Sequence, residues 1–210
     1  MTSDLIIGMA GSGGDGIVSA GDAFMSAAGL QGYHALLTKS FGPQIRGGES
    51  SCRLRLSTDP ILSTGGALNV AVALNWEDFL KFGGELPVDG ETSVIYDSRT
   101  GVLPGNLPLA AVTPKEAVAV PIAEMAKEVA GTERAKNSVV LGLLTGWTGM
   151  DRESLLAGIR KRFARKSAEV VEGNERAFVW PDGLASASAA SGEPDAAAAE
   201  IPAAPAMASD

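Results

Sequence analysis

A run of apolar residues, Leu5-Ile6-Ile7-Gly8-Met9-Ala10, passes directly into Gly11-Ser12-Gly13-Gly14-Asp15-Gly16, and this junction restricts the fold more than any other feature of the chain. The apolar run has the length and character of a buried strand, and the glycines supply a turn that side chains would obstruct. Helical spacing follows over Ile17 to Ala28, so backbone N–H groups stand exposed where a helix begins, the geometry that receives phosphates or carboxylates. Gly29 and Gly32 then provide a helix stop ahead of the strand-like Tyr33-His34-Ala35-Leu36-Leu37. The order strand, helix, strand predicts an α/β protein: a Rossmann-like βαβ core with a mostly parallel sheet and helices on both faces.

Further strands are expected over Ser51 to Ser57, Asn69 to Leu74 and Thr92 to Tyr96. The first alternates strictly, with Cys52, Leu54 and Leu56 on one face and Ser51, Arg53 and Arg55 on the other, and is placed near a sheet edge. The other two read as buried central strands, and a helical turn follows at Trp76 to Phe82. Beyond Pro114 the spacing predicts helices over Ala117 to Val129, Ser138 to Leu144, Arg152 to Phe163 and Ala168 to Ala177, with Asp151 as the N-cap of the third. Residues 1–184 are taken as one domain. From Ala185 to Asp210 the sequence is mainly Ala, Ser, Pro, Glu and Asp, too poor in large apolar groups to offset the entropy of ordering, so 185–210 reads as a flexible tail or linker.

Composition excludes several function classes. A net charge of −8 over 210 residues argues against a broad nucleic-acid footprint. No stretch approaches the roughly 20 apolar residues of a membrane span, and a cytoplasmic location is expected. The single cysteine, Cys52, rules out an internal disulfide and is too few to hold an iron–sulfur cluster or structural zinc. The single histidine, His34, is assigned a structural role at a strand start. Trp76, Trp147 and Trp180 are scattered and read as core or interface residues. The basic run from Arg160 to Lys166 reads as the solvated face of a helix whose other face is apolar.

The glycine turn alone does not name a ligand. A nicotinamide site expects an acidic residue about 20 positions on, at the end of the second strand, where this chain has Lys39-Ser40-Phe41-Gly42. No Gly-Lys-Ser/Thr follows, so the P-loop reading fails as well. Tubulin-like GTPases carry Thr between their glycines; Asp15 occupies that place here and would repel a nucleotide. A second unusual run, Ser40-Phe41-Gly42-Pro43-Gln44-Ile45-Arg46-Gly47-Gly48-Glu49-Ser50, displays Arg46 from a glycine-rich loop. That guanidinium suits a carboxylate or phosphate, while pairing of Arg46 with Glu49 is the competing reading of the same residues.

Together, the two motifs resemble the gamma subunit, or gamma domain, of 2-oxoacid:ferredoxin oxidoreductases. The resemblance continues through Ala71-Val72-Ala73-Leu74-Asn75, Ala135-Lys136-Asn137-Ser138 and Glu172-Gly173-Asn174-Glu175-Arg176-Ala177-Phe178, and so covers roughly residues 4 to 180. In detail it is most similar to the form fused ahead of the alpha subunit in 2-oxoglutarate-type enzymes, where an Ala/Pro-rich linker joins the two. The resemblance implies an enzyme that oxidatively decarboxylates a 2-oxoacid with thiamine diphosphate and magnesium, passes electrons through [4Fe–4S] clusters to ferredoxin or another acceptor, and releases an acyl-CoA. It implies that this chain holds none of those cofactors alone: Gly14-Asp15-Gly16 resembles the start of a thiamine diphosphate motif, but no Asn pair follows at the expected distance. The cofactors belong to alpha, beta and cluster-carrying partners, and catalysis lies with them. The cofactor-binding candidates here are Gly11, Ser12, Gly13, Gly14, Asp15, Gly16, Ser40, Gly42, Pro43, Arg46, Gly47 and Gly48, lining a shared coenzyme A-facing surface. Most family members have Gln where Asp15 stands, so Asp15 has two alternative roles, capping the following helix or meeting a partner chain. 2-Oxoglutarate is the preferred acid, with pyruvate, branched-chain and aryl 2-oxoacids such as phenylglyoxylate open. The rival readings are a stand-alone nucleotide- or flavin-binding Rossmann-like module and a purely structural subunit.

Overall fold

The computed structural model describes residues 4–43, 48–109 and 112–179. Six strands form one sheet: β1 (Asp4–Gly11), β2 (His34–Phe41), β3 (Ser50–Ser57), β4 (Val70–Ala73), β5 (Ser93–Asp97) and β6 (Glu116–Val120), in the order β2-β3-β1-β4-β5-β6. β3 pairs antiparallel with both β1 and β2, whereas β4, β5 and β6 extend the sheet in parallel from β1. Only β3 therefore runs against the others, and the expected mostly parallel α/β sheet is observed. The tail expected over 185–210 lies outside the described residues, as does Trp180.

The period of two decides which core each strand side chain enters. Leu5, Ile7 and Met9 of β1, Cys52, Leu54 and Leu56 of β3, and Val70 and Val72 of β4 point into the larger core. That core is closed by α1 (Ile17–Leu30), α3 (Ile122–Ala130), α4 (Lys136–Thr148), α5 (Arg152–Phe163) and α6 (Ala168–Val179). The opposite core holds Ile6, Ala10, Ala71, Ala73, Val94 and Tyr96 and is covered by one helix, α2 (Trp76–Lys81), with Leu68 and Leu86 from the connecting segments. Helices thus lie on both faces, in very unequal numbers. Trp76 packs at 5.5 Å from Tyr96 and 5.8 Å from Phe79, ring centre to ring centre, as a core residue; Trp147 packs half-buried against the larger core.

As expected, Ser51 to Ser57 lies near a sheet edge, next to β2, which forms the edge itself. Alternation of polar and apolar residues reports the two faces of a strand, not whether both its hydrogen-bonding sides are paired. Arg53 and Arg55 are nonetheless covered. Arg53 donates to the carbonyls of Glu85 and Gly66, and Arg55 pairs with Asp4 at 2.6 Å. One expectation is corrected: Ala117 to Val129 is not one helix, since Glu116–Val120 forms β6 beside β5 and α3 begins only at Ile122. Pro121 separates them, because proline lacks an N–H and biases the residue before it toward extended backbone.

Local signals account for the other boundaries. Gly32 adopts φ +81°, and the Tyr33 N–H reaches back to the Ala28 carbonyl at 3.0 Å, closing α1. The Asp151 carboxylate accepts from the Ser154 N–H at 2.8 Å, which is the expected N-cap of α5. His34 is exposed at the start of the edge strand, and Arg160, Lys161, Arg165 and Lys166 are exposed, with Arg160 paired to Glu175 at 2.9 Å. Among the described residues no helix is long and apolar enough to cross a membrane.

Candidate functional site

One rung of the sheet brings the two motifs together. Gly11 at the end of β1 faces Ser50 at the start of β3, which faces Phe41 at the end of β2. The glycine turn and the β2–β3 loop therefore project from the same end of the sheet. Between them lies a cleft of about 420 Å³. Gly13, Gly14 and Gly16 form one wall with the start of α1 at Ile17 to Ser19. Phe41, Gly42, Gly48, Glu49 and Ser50 form the other. His34 sits on the rung with Ser57 and Asp4, at the far end of the strands, and takes no part.

The turn is shaped by left-handed backbone at Gly14 (φ +102°) and Gly16 (φ +78°), conformations that glycine adopts without strain. Gly16 is the N-cap of α1 and contributes no side-chain hydrogen bond, so the expected capping role of Asp15 is not observed. Asp15, a residue 8% exposed, instead accepts through its side chain from the Ser12 N–H at 3.1 Å and pairs with Lys136 Nζ at 2.5 Å. Ser12 in turn donates through its hydroxyl to Asp78 at 2.5 Å. Gly11, Ser12 and Asp15 are thus turned toward α2 and α4 and do not line the cleft.

On the second motif, the Gly42 N–H donates to the Glu49 carbonyl at 2.8 Å, extending the β2–β3 ladder past Phe41. The Glu49 carboxyl fills the space a side chain on Gly42 would need, and lies 3.6 Å from Lys81 Nζ. Ser40 donates to the Glu85 carboxylate and is drawn away from the cleft, while Pro43 is exposed at its lip. Arg46 and Gly47 lie outside the described residues, so the Arg46–Glu49 pairing does too. Among the described residues Glu49 has Lys81 as its cationic neighbour.

Three residues of this region escaped the sequence reading: Asp78, Lys136 and Asn137. Lys136 and Asn137 open α4 and pass beneath the turn; both are buried, and Asn137 Oδ1 has no hydrogen-bond partner among the described residues. Their one sequence signal was the segment Ala135 to Ser138 within the family resemblance. In a doubly wound sheet a dinucleotide sits where connections leave in opposite directions, which here is the crevice between β1 and β4. A Cβ on Gly11 would already lie 3.1 Å from Leu74 and 2.9 Å from the Asp15 carboxylate. The carboxylate and Leu74 thus stand close against Gly11 at that crevice.

The residues present do not fit the redox and thiamine groups of the resembled enzymes. Cys52 is 1% exposed beneath α1, and burial, followed by the nearby Asp22 charge, pushes its thiol up to about 12, so it is not a thiolate ligand. Asp15, the only acidic residue of the glycine turn, is committed to Lys136. Among the described residues no group of three or more His, Cys, Asp or Glu is placed to hold a metal ion.

The sequence pattern of the pyruvate ferredoxin/flavodoxin oxidoreductase family matches residues 6–179. Ketoisovalerate oxidoreductase subunit VorA of Methanothermobacter thermautotrophicus is 35% identical over 171 residues, covering 80% of this chain and 34% of VorA. The chain thus spans about a third of the length of that relative. Among solved structures, 2-oxoglutarate:ferredoxin oxidoreductase from Magnetococcus marinus, with 2-oxoglutarate, coenzyme A and succinyl-CoA bound, matches with a TM-score of 0.73 at 30% identity, over 88% of this chain and 31% of its own. The gamma subunit of a keto/oxoacid ferredoxin oxidoreductase from Geobacter sulfurreducens matches with a TM-score of 0.65 at 28% identity, over 87% of this chain and 99% of its own.

Proposed function

Since this chain belongs to the pyruvate ferredoxin/flavodoxin oxidoreductase family, we propose that it is the gamma component of a multi-subunit 2-oxoacid:ferredoxin or acceptor oxidoreductase in the cytoplasm. The observation that carries the reading is the cleft of about 420 Å³ between the glycine turn and the β2–β3 loop. Thiamine diphosphate with magnesium supplies the decarboxylation chemistry and [4Fe–4S] clusters carry the electrons, both on partner alpha, beta and cluster-bearing chains. This chain contributes one wall of the site that presents coenzyme A to the acyl group. Its glycine backbones allow close approach of ligand or partner, and Arg46 supplies a guanidinium for an anionic group. Coenzyme A bound in the Magnetococcus enzyme supports that assignment.

2-Oxoglutarate is the preferred acid, because the details of both motifs are most similar to 2-oxoglutarate-type enzymes; pyruvate, branched-chain and aryl acids are the other members of the substrate class. A stand-alone nucleotide or flavin module is less well supported, since the Asp15 carboxylate stands close against Gly11 at the crevice between β1 and β4 and would repel a pyrophosphate there.

The test is to isolate the tagged chain from its host under anoxic conditions, identify what co-purifies, and assay viologen reduction dependent on a 2-oxoacid and coenzyme A. Co-purifying thiamine- and cluster-bearing subunits with such activity are expected, and a substrate panel then names the acid. A lone chain without partners, carrying stoichiometric flavin or nucleotide, overturns the reading.

A further inference from the structure

Asp15 occupies a place in the glycine turn that has the makings of an anion site. The Ser12 N–H donates to one carboxylate oxygen at 3.1 Å, and the buried Lys136 ammonium lies 2.5 Å from the other. A backbone amide and an ammonium directed at one point are what phosphate-binding turns present. Here the anion they meet belongs to the chain itself.

The electrostatics follow from that pairing. Asp15 and Lys136 cancel, and Asp78, 7% exposed and accepting from the Ser12 hydroxyl at 2.5 Å, adds a further carboxylate to the turn, with Lys81 at 3.4 Å shared between it and Glu49. An incoming phosphate would have to displace a carboxylate packed against Gly11 and then face a second one. Among the described residues the adjoining cleft has a different character: glycine backbone on both walls, the ring of Phe41, 66% exposed, and one carboxylate, Glu49, with Lys81 nearby. Such walls suit an uncharged chain bearing amides, which can pair with glycine N–H and C=O groups and lie along an aromatic face.

We propose that Asp15 is a built-in counter-anion that closes the glycine turn to phosphate, so that the turn side of the cleft takes the uncharged amide- and thiol-bearing arm of its ligand and leaves the phosphates to other groups. The second half rests on the coenzyme A reading above; the first does not. Asp15 thereby sets which part of the ligand this chain holds, and Lys136 acts through it as a positioning residue.

The experiment measures binding of inorganic pyrophosphate to the purified complex by calorimetry. Wild type is expected to show no heat attributable to the turn. Asp15→Asn keeps an oxygen for the Ser12 N–H but removes the charge, and is expected to tighten pyrophosphate binding roughly tenfold or more. Adding Lys136→Met to that variant is expected to abolish the gain. Asp15→Ser serves the same purpose if the Asn variant does not assemble. Unchanged pyrophosphate binding in both Asp15 variants overturns the proposal, as does a gain that persists without Lys136. Pantetheine, which lacks the phosphates, is expected to compete with coenzyme A in wild type, and failure to compete overturns the assignment of the cleft. If turnover needs no coenzyme A at all, the functional reading falls while the pyrophosphate comparison still decides the role of Asp15.

Discussion

Asn137 lies directly beneath Gly16: a Cβ on Gly16 would stand 2.9 Å from both the Cβ and the Cγ of Asn137. The first residue ahead of α1 and the second of α4 therefore interlock, and the turn is shaped by a helix far from it in sequence.

Gly16→Ala should for that reason be disproportionately harmful. It forces a side chain into left-handed backbone and into contact with a buried neighbour, each costing on the order of 1–3 kcal/mol. Chemical denaturation should show a loss of about 2–4 kcal/mol. Ala at Gly14, whose φ is also positive but whose Cβ would meet nothing within 4 Å, should lose only the backbone part. Equal losses at the two positions would contradict the packing account.

Cys52 provides a pH signature. Its thiol is raised from an ordinary 9.0 to about 12 by burial first and by Asp22 second. The folded protein keeps this proton where the unfolded chain releases it, so the contribution is fully present below pH 9 and declines as pH rises from 9 toward 12. Stability should fall over that window, and Cys52→Ala should flatten the slope. The native thiol should also resist alkylation at pH 8 until the chain is unfolded. Rapid labelling of the folded protein would count against it.

Asp151→Ala removes the N-cap of α5 and should cost about 1 kcal/mol. The Asp151 carboxyl is held below its ordinary value, first by the Ser154 hydroxyl and then by the Ser154 N–H. Its stabilisation is therefore present above pH 3.8 and fades as pH falls through the lower folded value. Denaturation curves at pH 7 and pH 2.5 should show a smaller effect of the substitution at the acidic pH.

Arg46→Ala in the assembled enzyme should raise the apparent KM for coenzyme A roughly tenfold with little change in kcat, because a charge-assisted contact made equally in ground and transition states is lost. Weaker assembly with an unchanged KM would instead assign Arg46 to subunit packing.

Much of this fold was legible because its signals are local. The apolar run of β1, the glycines after it and the Asp151 cap each determine their structure within a few residues. What escaped depends on partners distant in sequence. The alternation of Ser51 to Ser57 gave its faces correctly but not its neighbours, since pairing on both edges is decided by where β1 and β2 lie. The apolar residues of Ala117 to Val120 fit a helical period as well as a strand, and only Pro121 and the free edge of β5 settle them as β6. At the site, the glycines were readable as a turn because positive φ restricts residue type. The Lys136 that neutralises Asp15 was not, because a lysine in a helical segment normally signals a solvated face.

Phe41, Ser50 and Gly11 share one rung of the sheet, and this decouples the two walls of the cleft from the loop that joins β2 to β3. The separation of the walls is set by interstrand spacing, near 5 Å per strand, whatever the number of residues between Gly42 and Gly48. Insertions or deletions in that loop can accumulate without widening or narrowing the cleft, which leaves its length and chemistry available for matching a particular partner or acid.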